Sequence, residues 1–239
     1  MARPLENSEP MADKIRKAIE ELGPLSGVLY LLDRILQKLG GFAVIRRYVL
    51  VAQPVPERPL LGPRRGRSIE VRLVEPGDPA LAAMPLSEAV LDYRYGQGAL
   101  CFGAFQDGRM IGCQWLCLGP YNEDEVRSRF VPRPAGRAAW DFDIYVLPEL
   151  RQGLAFMRLW DTANAYLRER EVIWSLSRIS AFNAMSLASH TRLGARRIGT
   201  ATYVRAGRWQ LMISSLRPRL HLSGGPRRVP ELPLQVPED

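Results

Sequence analysis

The chain is 239 residues long, 46% of them apolar and 24% charged, which suits one well-buried α/β-sized domain with an extension. Disordered, collagen-like and coiled-coil chains are excluded by the same balance. The net charge of +8 invites a polyanion partner, yet no interleaved aromatic and basic module supports a nucleic-acid reading.

In chain order, Met11, Ile15, Ala18, Ile19 and Leu22 fall at helical spacing and predict a short amphipathic helix stopped by Gly23-Pro24. A second apolar stripe, Leu25, Val28, Leu29, Leu32, Ile35, Leu36 and Leu39, predicts another helix ending at Gly40-Gly41. Tyr48 to Ala52 reads as a strand, and Pro54 to Gly66, with four prolines, reads as a linker. The expected organisation is therefore an N-terminal extension over 1–66, a main domain over 67–216 and a flexible Pro/Gly/Arg-rich tail over 217–239. The stripes of the extension would pack on the core or on a second subunit, giving a homodimer, or else make a peripheral membrane contact.

Ile69 to Leu73 alternates as a strand, and Pro85 to Tyr93 suits a short helix. Leu100 to Phe105 and Arg109 to Leu118 form a predicted hairpin around Asp107-Gly108, a dipeptide suited to the positive φ of a tight turn. Cys101, Cys113 and Cys117 sit on those strands, where small buried hydrophobes are expected; their number and spacing indicate neither a disulfide framework nor a metal site, and a reducing cytoplasm is the expected compartment. Tyr121 to Arg137 is charged and carries Pro132 and Pro134, as a surface loop would. Ala139 to Val146 predicts a strand with Trp140, Phe142, Ile144 and Val146 on one face and Asp141, Asp143 and Tyr145 on the other. A turn over Leu147 to Gly153 opens a helix from Leu154 to Arg170. Val172 to Ser177 is a strand, Asn183 to Leu193 a helix, and Ala195 to Tyr203 and Trp209 to Ser214 are closing strands. No apolar run approaches the about 20 residues of a membrane span.

Over about residues 69–214 this order resembles the GNAT superfamily of acyl-CoA-dependent N-acyltransferases. The hairpin ending Gln106-Asp-Gly-Arg-Met-Ile-Gly is similar to the family's second and third strands. Asp143-Ile-Tyr-Val-Leu-Pro-Glu-Leu-Arg-Gln-Gly-Leu-Ala looks like its strand, turn and helix start. Asn183, then His190 followed by Thr-Arg-Leu-Gly-Ala, looks like the end of its last helix. The resemblance implies an α/β fold (an α+β mixed sheet) in three layers, its central sheet mostly antiparallel, with the helical extension added. It implies acetyl-CoA or another acyl-CoA as cosubstrate, its pyrophosphate on Arg151, Gln152, Gly153, Leu154 and Ala155. The pantetheine arm would lie along Ile144, Tyr145 and Val146, with Asn183 bonding the same arm. Two positions depart from the pattern: Leu150 stands where Gln or Arg is usual, and His190 where the family has its tyrosine acid.

The residues support that chemistry on their own terms. A turn of bare N–H groups opening a helix suits a diphosphate, and Arg151 adds charge. Acyl transfer to an amine needs a proton acceptor and a proton donor. Asp143 and Asp141 are candidates for the first, with Asp143 slightly preferred, and salt bridging is the alternative for both. His190, with an ordinary pKa of about 6.5, is a candidate for either role or a packed histidine. Asn183 could instead cap its helix. The expected function is transfer of an acetyl or longer acyl group to a small-molecule or lipid-like amine by direct attack in a ternary complex, without a metal. A catalytically inactive CoA-sensing or protein-interaction module is the alternative.

Overall fold

A computed structural model describes residues 16, 19–62, 64–151 and 153–237. The chain runs through α1 (Pro24–Lys38), β1 (Ala43–Pro54), β2 (Glu70–Val74), α2 (Glu88–Tyr95), β3 (Leu100–Gln106), β4 (Arg109–Cys117), β5 (Tyr121–Asn122) and β6 (Arg129–Arg133). It continues through β7 (Ala138–Val146), α3 (Ala155–Arg168), β8 (Trp174–Ser180), α4 (Ala184–Arg192), β9 (Arg196–Ala206), β10 (Trp209–Ser214), β11 (Leu220–Ser223) and β12 (Glu231–Gln235). Nine strands form one sheet in the order β11-β10-β9-β1-β8-β7-β4-β3-β2, and β12, β6 and β5 form a smaller one. Among the described residues only β7 and β8 pair parallel in the large sheet, so the architecture is the expected mixed, mostly antiparallel one.

Two apolar cores make the layers. On one side α3 presents Ala155, Leu159, Ala163 and Leu167 to Phe102, Ala104, Leu116 and Ala139 of the sheet. On the other, Trp115, Trp140, Phe142 and Tyr203 pack with α2 and with Phe130, Leu232 and Leu234 of the small sheet. Where local chemistry decides, the sequence reading holds. Asp107 and Gly108 take φ of 51° and 77° and close the β3–β4 hairpin, and Gly40 and Gly41, at 100° and 65°, end α1. The three cysteines are free and buried.

Several expectations are corrected. β1 does not belong to an extension: it lies mid-sheet between β8 and β9, so the boundary at residue 66 cuts through one domain. The Pro54–Gly66 segment is tied down rather than a loose linker, because Asp161 accepts from Leu60 N and Leu61 N at 2.6 and 3.2 Å. The tail is ordered as β11 and β12, with Leu232 and Leu234 fully buried. The expected loop over Tyr121 to Arg137 contains β5 and β6 and buries Tyr121, Glu123, Val126 and Phe130. Of the first predicted helix, residues 19–22 are helical and Met11 and Ile15 lie outside the described residues.

The alternation expected for β7 also breaks. Asp143 stands opposite Trp115 and Asp141 opposite Leu116, with a register shift between them. Since cross-strand partners share a face and Trp115 and Leu116 point oppositely, the bulge at Phe142 puts the two carboxylates on opposite faces.

α1 packs on β1, and its Asp33 turns inward to accept from Ile45 N at 2.8 Å. Its outer stripe of Leu25, Val28, Leu32, Ile35 and Leu39 remains open, each 43–67% exposed.

Candidate functional site

β7 and β8 are paired only from Ala138 opposite Trp174 to Asp141 opposite Ser177. Beyond that point β7 stays on β4 through Val146, while β8 stays on β1 through Ser180. The facing edges therefore part into a wedge, and the main-chain groups of Phe142 to Val146 on that edge lose their strand partner. A cleft of about 130 Å³ opens there, lined by Asp141, Asp143, Ile144, Ser177, Arg178 and His190, with Ser186 of α4 at its side.

Within the cleft the two aspartates differ. Asp143 Oδ2 accepts from Arg94 Nη1 at 2.8 Å, and the same guanidinium binds Asp124 at 2.9 Å. That ion pair ties up the carboxylate that the sequence slightly favoured as base. Asp141 is buried, its one side-chain partner among the described residues being Gln114 Nε2 at 3.2 Å. Burial pushes its pKa up to about 7, with the nearby Asp143 charge adding to the rise while the Gln114 bond and Arg178 oppose it. A carboxyl that titrates near neutrality can both accept and return a proton there.

His190 lines the cleft but is buried, with its ring edge-on to Trp160 at 5.7 Å and Phe156 at 6.2 Å. Burial pushes its pKa down to about 4. The imidazolium is therefore scarce at neutral pH, which favours the packed or proton-accepting roles over that of an acid. Its Nδ1 faces Gln53 Oε1 at 3.3 Å; with that oxygen as acceptor, Nδ1 carries the hydrogen. Gln53 comes from β1, so its part was hidden once residues 1–66 were set aside.

Asn183 takes up the capping role. Its Oδ1 accepts from Ser186 N at 3.0 Å and caps α4, the alternative role that residue type at that spacing allows. At the end of β7, Ile144 and Tyr145 are part-exposed and Val146 is buried. Arg151 Nε donates to Val146 O at 3.2 Å and its guanidinium lies 5.9 Å from the Tyr145 ring, so its charge is held beside the wedge. Gln152 lies outside the described residues.

The turn after β7 leads straight into α3 with Leu154 as N-cap, no side-chain cap and no acid in the first turn. First-turn N–H groups have no intrahelical acceptor, so this end offers donors and a positive dipole end to an anion. A Cβ on Gly153 would meet Leu150 O at 3.1 Å, a tight contact that favours glycine in this close turn. Ala155 is buried and supports the helix start from beneath. Main-chain donors of this kind carry the positive character that pairs with a diphosphate.

The segment over 121–133 contributes charges that the sequence alone did not assign to a site. Arg178, on the cleft wall, binds Glu123 at 2.8 Å and Glu125 at 3.2 Å and covers the Tyr48 ring at 4.7 Å. Burial pushes the Glu123 carboxyl up against the opposing pull of Arg178. Glu123, Asp124 and Glu125 also line a second groove of about 410 Å³, bordered by Tyr93 of α2 and by Arg127 and Arg205. The Arg178–Glu123 pair is thus the wall between groove and cleft. Only an acid-rich run spaced between prolines hinted at it.

No family model and no curated protein matches the chain. Among solved structures it is similar to a tandem GNAT protein of the clavulanic acid biosynthesis pathway, at 17% identity and a TM-score of 0.47 over 68% of this chain and 54% of that one. A GNAT-family protein from Novosphingobium aromaticivorans matches at 19% identity and 0.47, covering 67% and 63%. A GCN5-related N-acetyltransferase from Sphaerobacter thermophilus matches at 15% and 0.46, covering 72% and 55%. The chain spans less than two thirds of the length of each of these structures. The reading of the site rests on the chain's own strand order and side chains.

Proposed function

We propose that the chain is a GNAT-like acyltransferase that moves an acyl group from acyl-CoA to an amine. The observation that carries this reading is the wedge between β7 and β8, with Asp141 inside it and the uncapped start of α3 beyond its rim. When bound, acyl-CoA supplies a thioester carbon open to attack and a thiolate leaving group. The α3 first turn and Arg151 hold the anionic end, and the free edge of Phe142 to Val146 orients the arm as an added strand. Asp141 takes the proton that the attacking nitrogen must shed and, titrating near 7, returns it toward the departing sulfur, so one carboxyl closes the proton balance. His190 and Gln53 form the wall that positions these groups.

Calorimetric titration with acetyl-CoA, coupled to thiol release over a panel of amines, tests this. Binding with amine-dependent thiol release is the expected result, and Gly153→Glu should abolish the binding. Binding without turnover over a broad panel would favour a CoA-sensing module, and absence of binding would refute both readings.

A further inference from the structure

One face of the β10–β11 hairpin is bare. Trp209, Leu211 and Ile213 alternate along β10, and Leu222 and Leu220 stand opposite Leu211 and Ile213, so all five share a face. Four of them, Trp209, Ile213, Leu220 and Leu222, are 47–66% exposed. The same row runs on from Leu211 to Val204 and Ile45, and Ile45 is buried on the strand where α1 packs. The open stripe of α1 therefore borders the same side of the sheet.

The charge of this hairpin and the turns beside it has one sign. From Arg208 to Arg228 there are five arginines and no aspartate or glutamate. Arg208 lies over the Trp209 ring at 5.0 Å, which sets an exposed cation beside an exposed indole. On α1 the single acid, Asp33, is turned inward, leaving Arg34 and Lys38 outside. An aliphatic face on an arginine-rich hairpin, with an indole and Arg208 at its margin, matches an interface that is apolar within and anionic at its rim.

We propose that this face docks on an anionic phospholipid bilayer, with the β10–β11 side chains entering the headgroup boundary and the arginines meeting phosphates. A second copy across a two-fold would bring arginine-rich rims together, which like-charge repulsion opposes. Leucine and isoleucine gain little from a nucleic-acid backbone, which rewards charge alone. Among the described residues no helix is long and apolar enough to cross a membrane; the proposed contact is with the bilayer surface.

The test uses the full chain with vesicles of phosphatidylcholine, alone or mixed with phosphatidylglycerol, at about 0.1 M salt. Of the tryptophans, Trp209 is 47% exposed while Trp115, Trp140, Trp160 and Trp174 are at most 6% exposed, so a blue shift in emission reports Trp209. Co-sedimentation with the mixed vesicles, together with that shift, is expected. Ile213→Glu and Leu222→Glu, both at exposed positions, should each weaken partitioning by roughly tenfold or more while leaving the melting temperature in place. Arg217→Ser with Arg219→Ser should weaken it too, and about 1 M salt should release the protein. No sedimentation with the mixed vesicles, or undiminished sedimentation of the glutamate variants, would overturn the proposal. So would a solution dimer that the same variants abolish, or equal binding to both vesicle types.

Discussion

Asp141→Asn isolates the energetic consequence of a carboxyl buried with one amide partner. Below about pH 4 the carboxyl is protonated in both folded and unfolded chains. Between there and its folded pKa of about 7 the folded chain holds a proton that the unfolded chain has released, so stability falls as pH rises through this window. At about 1.4 kcal/mol for each pH step, the loss accumulates to about 4 kcal/mol by pH 8. Asparagine cannot ionise, so the variant should gain on the wild type by an amount that grows from pH 4 to pH 8 toward that figure. His190 also titrates in this range, but it is common to both proteins and drops out of the difference. Urea unfolding of the pair at pH 4.5, 6 and 8 measures the trend, and acyl-transfer assays on the same samples should find the variant inactive. The wild-type rate should rise with pH through an ionisation near 7. A stability difference that does not change with pH would mean Asp141 titrates as an ordinary carboxyl, and the proton-shuttle role would fall with it.

His190→Gln should act at the other end of the pH range. The buried imidazole has its pKa lowered to about 4, so wild-type stability is lost as pH falls from about 6.5 toward 4, and the variant should gain up to about 3 kcal/mol at pH 4 relative to pH 7 in urea melts. Unchanged acid sensitivity would show that the histidine protonates freely. Leu234→Ala, in β12, removes a fully buried side chain and should cost about 2–5 kcal/mol by the same measurement. A change below about 0.5 kcal/mol would mark the C-terminal strand as dispensable.

What was legible in the sequence is what local chemistry determines. Asp107-Gly108 closes its hairpin because both residues accept positive φ, and Gly23-Pro24 and Gly40-Gly41 bracket α1 for similar reasons. The strand, turn and helix over 138–168 followed from period and breaker signals within one short window. The place of β1 was not legible, because its partners lie far along the chain: Tyr48 pairs with Ser180 and Ala201, and a linker of prolines suggests a boundary whether or not the strand beyond it returns to the sheet. β12 was obscured by Pro233 and by its brevity, although an edge position tolerates proline. The segment over 121–137 looked solvated because it is charged, yet Arg94–Asp124 and Arg178–Glu123 satisfy those charges internally. A bulge at Phe142 is invisible to a period-two reading, and it separated the two aspartates that alternation had put together.

Backbone amide hydrogen exchange with and without saturating acetyl-CoA tests the central claim most directly, since it reports on the main-chain groups that the wedge leaves unpaired. Slowed exchange at residues 142–146 of β7 and at 154–157 opening α3, with β10 and β11 unchanged, is the predicted result. Protection confined to other segments, or none at either place, would contradict the assignment of the wedge as the thioester site.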